Sequence, residues 1–232
     1  TGSKFERNMI FKLYKKKKYL IIVLDHWINY KKRLFINNIM INPDEIWVFD
    51  KNAKLIAKKI FKCKINLKQN YYYLNCKKKF KNYKSRNKNK LLFICDPNPS
   101  KSKKTDMFTK YYNEKKIIRY IINYFDKDFI ETKKIILRLH PNQYKRITYW
   151  KNYYLKHFSI FRNKIDFSKN NSLIQDLKKV KKVFGGNSAA LDLTSYLGIK
   201  TYSIIIKKKI SNNLSLLPKN KNLVSININN EY

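Results

Sequence analysis

The chain has 232 residues, enough for one large domain or two small ones, and 44% of them are apolar, with 18 tyrosines and 14 phenylalanines, which excludes an unfolded polymer. The formal charge is +38, from 53 Lys+Arg against 15 Asp+Glu, so nucleic acid, an anionic membrane surface and phosphorylated substrates are the partners that the charge admits. The lysines are spread through every predicted element amid abundant Asn, Ile and Tyr, a mixture that A/T-rich codons also produce, and only 4 glycines argue against an RGG-type nucleic-acid tail.

In chain order, Phe5 to Leu13 reads as a short amphipathic helix and Tyr19 to Leu24 as a strand. Asp25-His26-Trp27 falls at the carboxyl end of that strand, where an aspartate serves either as a general base or as the cap of the next turn. Trp27 to Phe35 is a loop or helical turn. Pro43-Asp44-Glu45 then introduces a strand, Ile46 to Phe49, with Asp50 capping a helix over Ala53 to Phe61. The tyrosines Tyr71 to Tyr73 suit base stacking or, more simply, an inter-domain or core contact. Lys77 to Lys90, KKKFKNYKSRNKNK, has almost no apolar periodicity and is read as a basic linker, the alternative being a nucleic-acid- or lipid-binding patch.

Beyond it, Leu91 to Cys95 begins a new sheet, with Asp96-Pro97-Asn98-Pro99-Ser100 as a loop at its carboxyl end. A long helix over Tyr111 to Phe125 carries Ile117, Ile118, Ile121, Ile122 and Phe125 on one face. Tyr149 to Phe158 is helical, with His157 a surface position rather than a ligand. Ile165-Asp166-Phe167 precedes a helix capped near Ser172, with Leu173, Leu177 and Val180 turned inward, and Leu223 to Ile228 supplies a last strand. Cys63, Cys76 and Cys95 are odd in number and lack CxxC spacing, which fits reduced structural thiols in a cytoplasmic protein, peripheral to a membrane at most. No stretch approaches the roughly 18 apolar residues of a membrane span, and no DxD-like pair suited to a metal stands out.

Two stretches carry chemistry. Lys133 to Gln143, KKIILRLHPNQ, is a buried strand stopped by His140-Pro141, which places the imidazole at the carboxyl end of the strand, where open α/β sheets bind ligands. Alone, His-Pro is more simply an ordinary strand terminator. About 45 residues on, Val183 to Ile206 reads as a strand, a turn at Gly185-Gly186, N-cap candidates Asn187 and Ser188, a helix ended by Gly198, and a strand from Tyr202 to Ile206. Such a helix start favours a phosphate.

From Lys90 to Ile206 this order of elements resembles the C-terminal Rossmann-like domain of GT-B glycosyltransferases, and most the bacterial sialyltransferase, polysialyltransferase and Kdo-transferase groups. These carry an HP motif and a later Ser/Thr motif, and use a CMP-activated sugar. The resemblance implies an α/β fold of two Rossmann-like domains with parallel sheets, the N-terminal one short: residues 1–76 on the acceptor side, 77–90 as linker, and 91–232 binding the nucleotide sugar. It implies that His140 contacts or protonates the departing phosphate, that Pro141 shapes the turn, and that Ser188 with the backbone of Gly186 and Asn187 holds the donor. Arg138, Asn142 and Gly185 are counted with them as donor-binding, and Asp25 corresponds by position to the acceptor-side base. Ser188-Ala189 stands where the family often has two hydroxyl residues.

The function implied is metal-independent transfer of a sugar from a CMP-linked donor to a glycan or lipid-linked acceptor in surface-polysaccharide assembly, with no cofactor besides the donor. The alternatives are a CDP-polyol phosphotransferase of the teichoic-acid kind and a non-enzymatic protein that binds nucleic acid or an anionic surface.

Overall fold

The computed structural model describes residues 3–25, 30–81, 89–96, 114–124, 134–157, 163–186, 188–207 and 220–229. The chain divides into two compact units, Thr1–Tyr71 and Tyr72–Tyr232.

The smaller unit begins with α1, Lys4–Lys15, whose N-cap Ser3 and Glu6 form a reciprocal capping box. Its strands are β1 (Ile21–Leu24), β2 (Phe35–Ile36), β3 (Ile39–Met40), β4 (Glu45–Val48) and β5 (Lys64–Leu67), with helices α2 (Tyr30–Leu34) and α3 (Lys51–Ile60) between them. β1, β4 and β5 form a parallel sheet in the order β1-β4-β5. Period-2 alternation decides which side is core: Ile22, Leu24, Ile46, Val48 and Ile65 are buried. On the opposite side the Glu45 carboxylate accepts from Trp47, Lys64, Tyr19 and Asn66, and the bond from Trp47, followed by those from Lys64 and Tyr19, holds its pKa down at about 2. Asp50 caps α3 as the sequence predicts, its carboxylate accepting the Ala53 N–H at 2.7 Å. The β2–β3 hairpin was not legible as strand pairing, although Asn37 and Asn38, at φ 48° and 61°, supply the two positive-φ residues that a tight hairpin turn requires.

The larger unit holds α4 (Tyr71–Lys81, from Tyr72 on), β6 (Lys90–Ile94), α5 (Glu114–Tyr124), β7 (Lys134–Arg138), a 3-10 turn (Pro141–Arg146), α6 (Ile147–His157), β8 (Ile165–Phe167), α7 (Leu173–Leu177), β9 (Val180–Gly185), α8 (Ala189–Tyr196), β10 (Lys200–Lys207) and β11 (Leu223–Asn229). Among the described residues, six strands lie in the order β8-β7-β6-β9-β10-β11, all parallel. The first strand, β6, is therefore central. The chain winds outward from it to β8, returns to β9 on its other side, and winds outward again. The order reverses between β6 and β9, and doubly wound sheets bind ligands at the carboxyl ends beside such a reversal.

Burial explains the strand sequences. Leu91, Leu92, Phe93 and Ile94 are all buried because helices cover both faces of a central parallel strand. Ile117, Ile118, Ile121 and Ile122 pack as the helical spacing predicts, against Leu91, Phe93, Ile135 and Leu137, while Phe125 lies outside the described residues. Two readings change. Lys77 to Lys81 continue α4 rather than starting a linker, and the Lys77 ammonium lies over the Tyr196 ring, 5.4 Å from its centroid; residues 82–88 lie outside the described residues. Val180, taken as the inner face of a helix, opens β9, because α7 ends at Leu177. All three cysteines are free thiols.

Candidate functional site

β6, β7 and β9 end side by side, with Ile94 in register with Arg138 on one side and Gly185 on the other. Three segments therefore emerge together at the reversal of the larger sheet: the turn at His140, Cys95-Asp96, and the glycine turn leading to Ser188. With strands about 4.8 Å apart, the outer two segments are separated by roughly 10 Å, a gap suited to a phosphate group.

His140 is the N-cap of the 3-10 turn. Its backbone N–H donates to Gln143 Oε1 at 2.8 Å, and its Nδ1 accepts the N–H of Asn142 at 3.2 Å. This is a capping box with histidine in place of serine. The acceptor role of Nδ1 puts the proton of the neutral ring on Nε2, so the ring retains a donor on its outer edge. Half-burial lowers the imidazole pKa, because desolvation disfavours the cation. Pro141 starts the turn, at the position where its missing N–H costs least, and Asn142 is exposed, contributing its backbone N–H to His140.

On the other side, Gly185 is where β9 passes closest to its neighbours: a Cβ there would lie 3.1 Å from the Ile94 carbonyl oxygen and 3.3 Å from Leu191 Cδ1. Gly185→Ala is expected to destabilise the unit by about 1–3 kcal/mol through overpacking, read as a lowered urea midpoint at unchanged m. The Gly186 carbonyl accepts a 2.6 Å hydrogen bond from buried Ser203 in β10, which fixes the turn. Asn187 lies outside the described residues. Ser188 is the N-cap of α8, but its side chain caps nothing. Its Oγ is buried and has no hydrogen-bond partner among the described residues. Helix geometry also leaves the N–H groups of Ala189 and Ala190 without intrahelical acceptors. Helix N-termini of this kind favour negative charge through their free N–H groups and the helix dipole.

Between the two turns, burial pushes the Asp96 carboxyl up to about 6. Its backbone N–H donates to Glu114 Oε1 at 2.5 Å, and Glu114 Oε2 accepts from Tyr154 at 2.5 Å. Gln143 Nε2 donates to the Tyr154 hydroxyl at 3.4 Å, completing a buried polar chain from Asp96 to His140. Glu114, Gln143 and Tyr154 are at most 1% exposed. Burial, with Cys95 and Glu114 alongside, pushes the Tyr154 phenol far up, so it stays a proton donor. These three residues were missed in the sequence. Glu114 had a signal, since it precedes Ile117, Ile118 and Ile121 at the helical spacing of the buried face; the spacing from His140 to Gln143 carried the other.

The Arg138 side chain is engaged by the segment that follows β8 and by α7. Its guanidinium bonds to Asp176 at 2.5 Å, to Ser168 at 3.3 Å, and to the carbonyls of Asn170 and Asn171 at 3.1 and 3.3 Å. Asp176 also accepts from Ser168 and Asn170 and is wholly buried. The arginine thus ties the ends of β7 and β8 to α7. In the smaller unit, Asp25 follows β1 with its side chain 77% exposed and paired to Arg33 at 2.8 Å. His26 lies outside the described residues. Among the described residues no group of three or more His, Cys, Asp or Glu is arranged to hold a metal ion, and no helix is long and apolar enough to cross a membrane.

No protein-family model matches the sequence, and no curated protein matches it. Among solved structures, the chain is similar to Anabaena Alr3699/HepE in complex with UDP, at TM-score 0.51 and 8% identity over 85% of this chain and 56% of that one. It also aligns with Methanocaldococcus jannaschii UDP-GlcNAc 2-epimerase in complex with UDP-GlcNAc and UDP, at TM-score 0.49 and 14% identity over 84% and 55% of the two chains. The wall teichoic acid polymerase TagF aligns at TM-score 0.36 and 14% identity over 69% and 38%. The argument for fold rests on the first of these, of which this chain spans just over half. Two units with parallel sheets, the larger in doubly wound order and the smaller of three strands in its main sheet, give the chain a GT-B-like α/β fold with a short N-terminal part.

Proposed function

We propose that the larger unit binds the phosphate of a nucleotide-activated sugar between His140 and Ser188, and that the chain belongs to a metal-independent glycosyltransferase of surface-glycan assembly. The observation that carries this reading is the buried, unpartnered Ser188 Oγ at the start of α8, across the end of β6 from the His140 ring. The UDP in the HepE structure supports a nucleotide as ligand of this fold. The HP and serine motifs favour a CMP-linked donor.

As the bond from the anomeric carbon to the phosphate oxygen breaks, its electron pair stays on the phosphate. The Nε2–H of His140, the Ser188 hydroxyl and the N-terminus of α8 are donors suited to that growing charge. The acceptor hydroxyl attacks the anomeric carbon as that bond breaks and gives its proton to a base. Gly185 and Gly186 shape the turn, and Pro141 and Asn142 hold the imidazole.

Thermal shift against CMP, CDP, UDP, GDP and ADP at moderate salt tests the proposal. A nucleotide at about 100 times its dissociation constant stabilises the fold by about 2.7 kcal/mol. Ser188→Ala is expected to weaken binding by about 10–100-fold, the worth of one hydrogen bond to a charged group. A shift with CMP alone supports the CMP-linked donor, and one with CDP alone transfers the reading to a polyol-phosphate donor. Equal small shifts with every nucleotide, unchanged by Ser188→Ala and abolished by salt, would mean only a basic surface collecting phosphates.

A further inference from the structure

We propose that the outward face of α1 is an interfacial anchor for an anionic lipid bilayer. Phe5, Met9 and Leu13, spaced four residues apart, are 75%, 42% and 36% exposed, while Ile10 on the other side of the helix is buried. At 100° per residue the three form a stripe about 80° wide and about 12 Å long. Lys12 borders it, and Lys15, Lys16, Lys17 and Lys18 follow at its end, all exposed. From Ser3 to Leu24 the lone acidic residue, Glu6, stands against seven basic ones, and its carboxylate is engaged by Ser3 in the capping box.

An apolar stripe bordered by lysines matches a surface that is apolar below and negative above, which is the structure of a bilayer with acidic headgroups. The charge pattern selects this occupant over others. A second copy of the chain meeting α1 about a two-fold axis would oppose lysines to lysines, and a nucleic acid would offer phosphates but nothing to bury Phe5, Met9 and Leu13.

Sedimentation with vesicles tests the anchor, using equal parts phosphatidylglycerol and phosphatidylcholine against phosphatidylcholine alone. The intact chain is expected to bind the anionic vesicles and to leave the neutral ones in suspension. Phe5→Ser/Met9→Ser/Leu13→Ser is expected to weaken binding by on the order of 100-fold, and Lys15, Lys16, Lys17 and Lys18→Gln by roughly fivefold per lysine removed. Lys51, Lys54, Lys58 and Lys59→Gln, which takes the same charge from α3, should leave it nearly unchanged. The stripe is exposed, so the serine variant should keep the wild-type melting temperature; if it does not, Phe5→Ser and the α1 lysine variant decide. Failure of the intact chain to bind overturns the proposal. So does unchanged binding by the serine variant, an equal loss from the α3 variant, or a parallel loss of binding to a short oligonucleotide.

Discussion

His140→Ala is expected to slow sugar transfer by about 10²–10³-fold, the usual cost of removing one donor aimed at developing negative charge, while the melting temperature moves little. The pH dependence separates two roles for the ring. With Nδ1 accepting the Asn142 N–H, protonation would bring two donors face to face, so the neutral ring is the one that fits its cap. Its folded pKa lies below the ordinary 6.5 through desolvation. The stability linked to this ring is therefore present above about 6.5 and is lost as pH falls through the lowered folded value. Activity should fall with it. A general-acid imidazolium would give the opposite slope, with the rate rising as pH falls from neutral. Full activity in His140→Ala, or a rate that rises on acidification and levels off in His140→Asn, would remove the neutral-donor role.

Arg138→Ala should be the most destabilising single change among the charged residues discussed, by about 3–5 kcal/mol, because it strands the wholly buried Asp176 carboxylate. For a unit of this size that lowers the melting temperature by roughly 6–20 °C. Arg138→Met with Asp176→Leu should recover most of the loss, since replacing a buried ion pair by apolar side chains is often neutral. This double variant also decides whether the arginine touches donor. If its nucleotide-induced shift equals the wild type's, Arg138 serves the fold alone; a lost shift in a stable double variant would return it to the donor site. A melting temperature unchanged by Arg138→Ala would refute the structural account of the pair.

Local patterning made most of the larger unit legible. The apolar runs of β6 and β7, the isoleucine stripe of α5, the Ser172 cap and the positive-φ Gly198 each announce themselves within a few residues. The turns at His140 and Gly185 were legible for the same reason: proline and glycine punctuate the chain locally. What sequence could not give was side-chain destination. Arg138 and His140 are two residues apart in an extended segment, yet one is bound to a carboxylate from α7 and the other caps the turn that follows it. The partners of Glu114 and Tyr154 lie 18 and 40 residues away in the chain, beyond any periodicity. α4 was missed because its lysine-rich second half has little apolar patterning, and it is placed by contacts of Tyr73 with Asp192 and Tyr196.

The central position of β6 bears on how this chain leaves the ribosome. β6 meets one neighbour, β7, after about 44 further residues, but its other edge is filled by β9, about 90 residues downstream. At about 5–20 residues per second of synthesis, that edge stays open for roughly 5–18 s, along a strand whose side chains Leu91 to Ile94 are all apolar. During that interval the segment has the makings of a template for unwanted pairing with other chains. Translation speed between the codons for β6 and β9, and the availability of chaperones to shield the open edge, therefore bear on the yield of this protein as much as its final stability does.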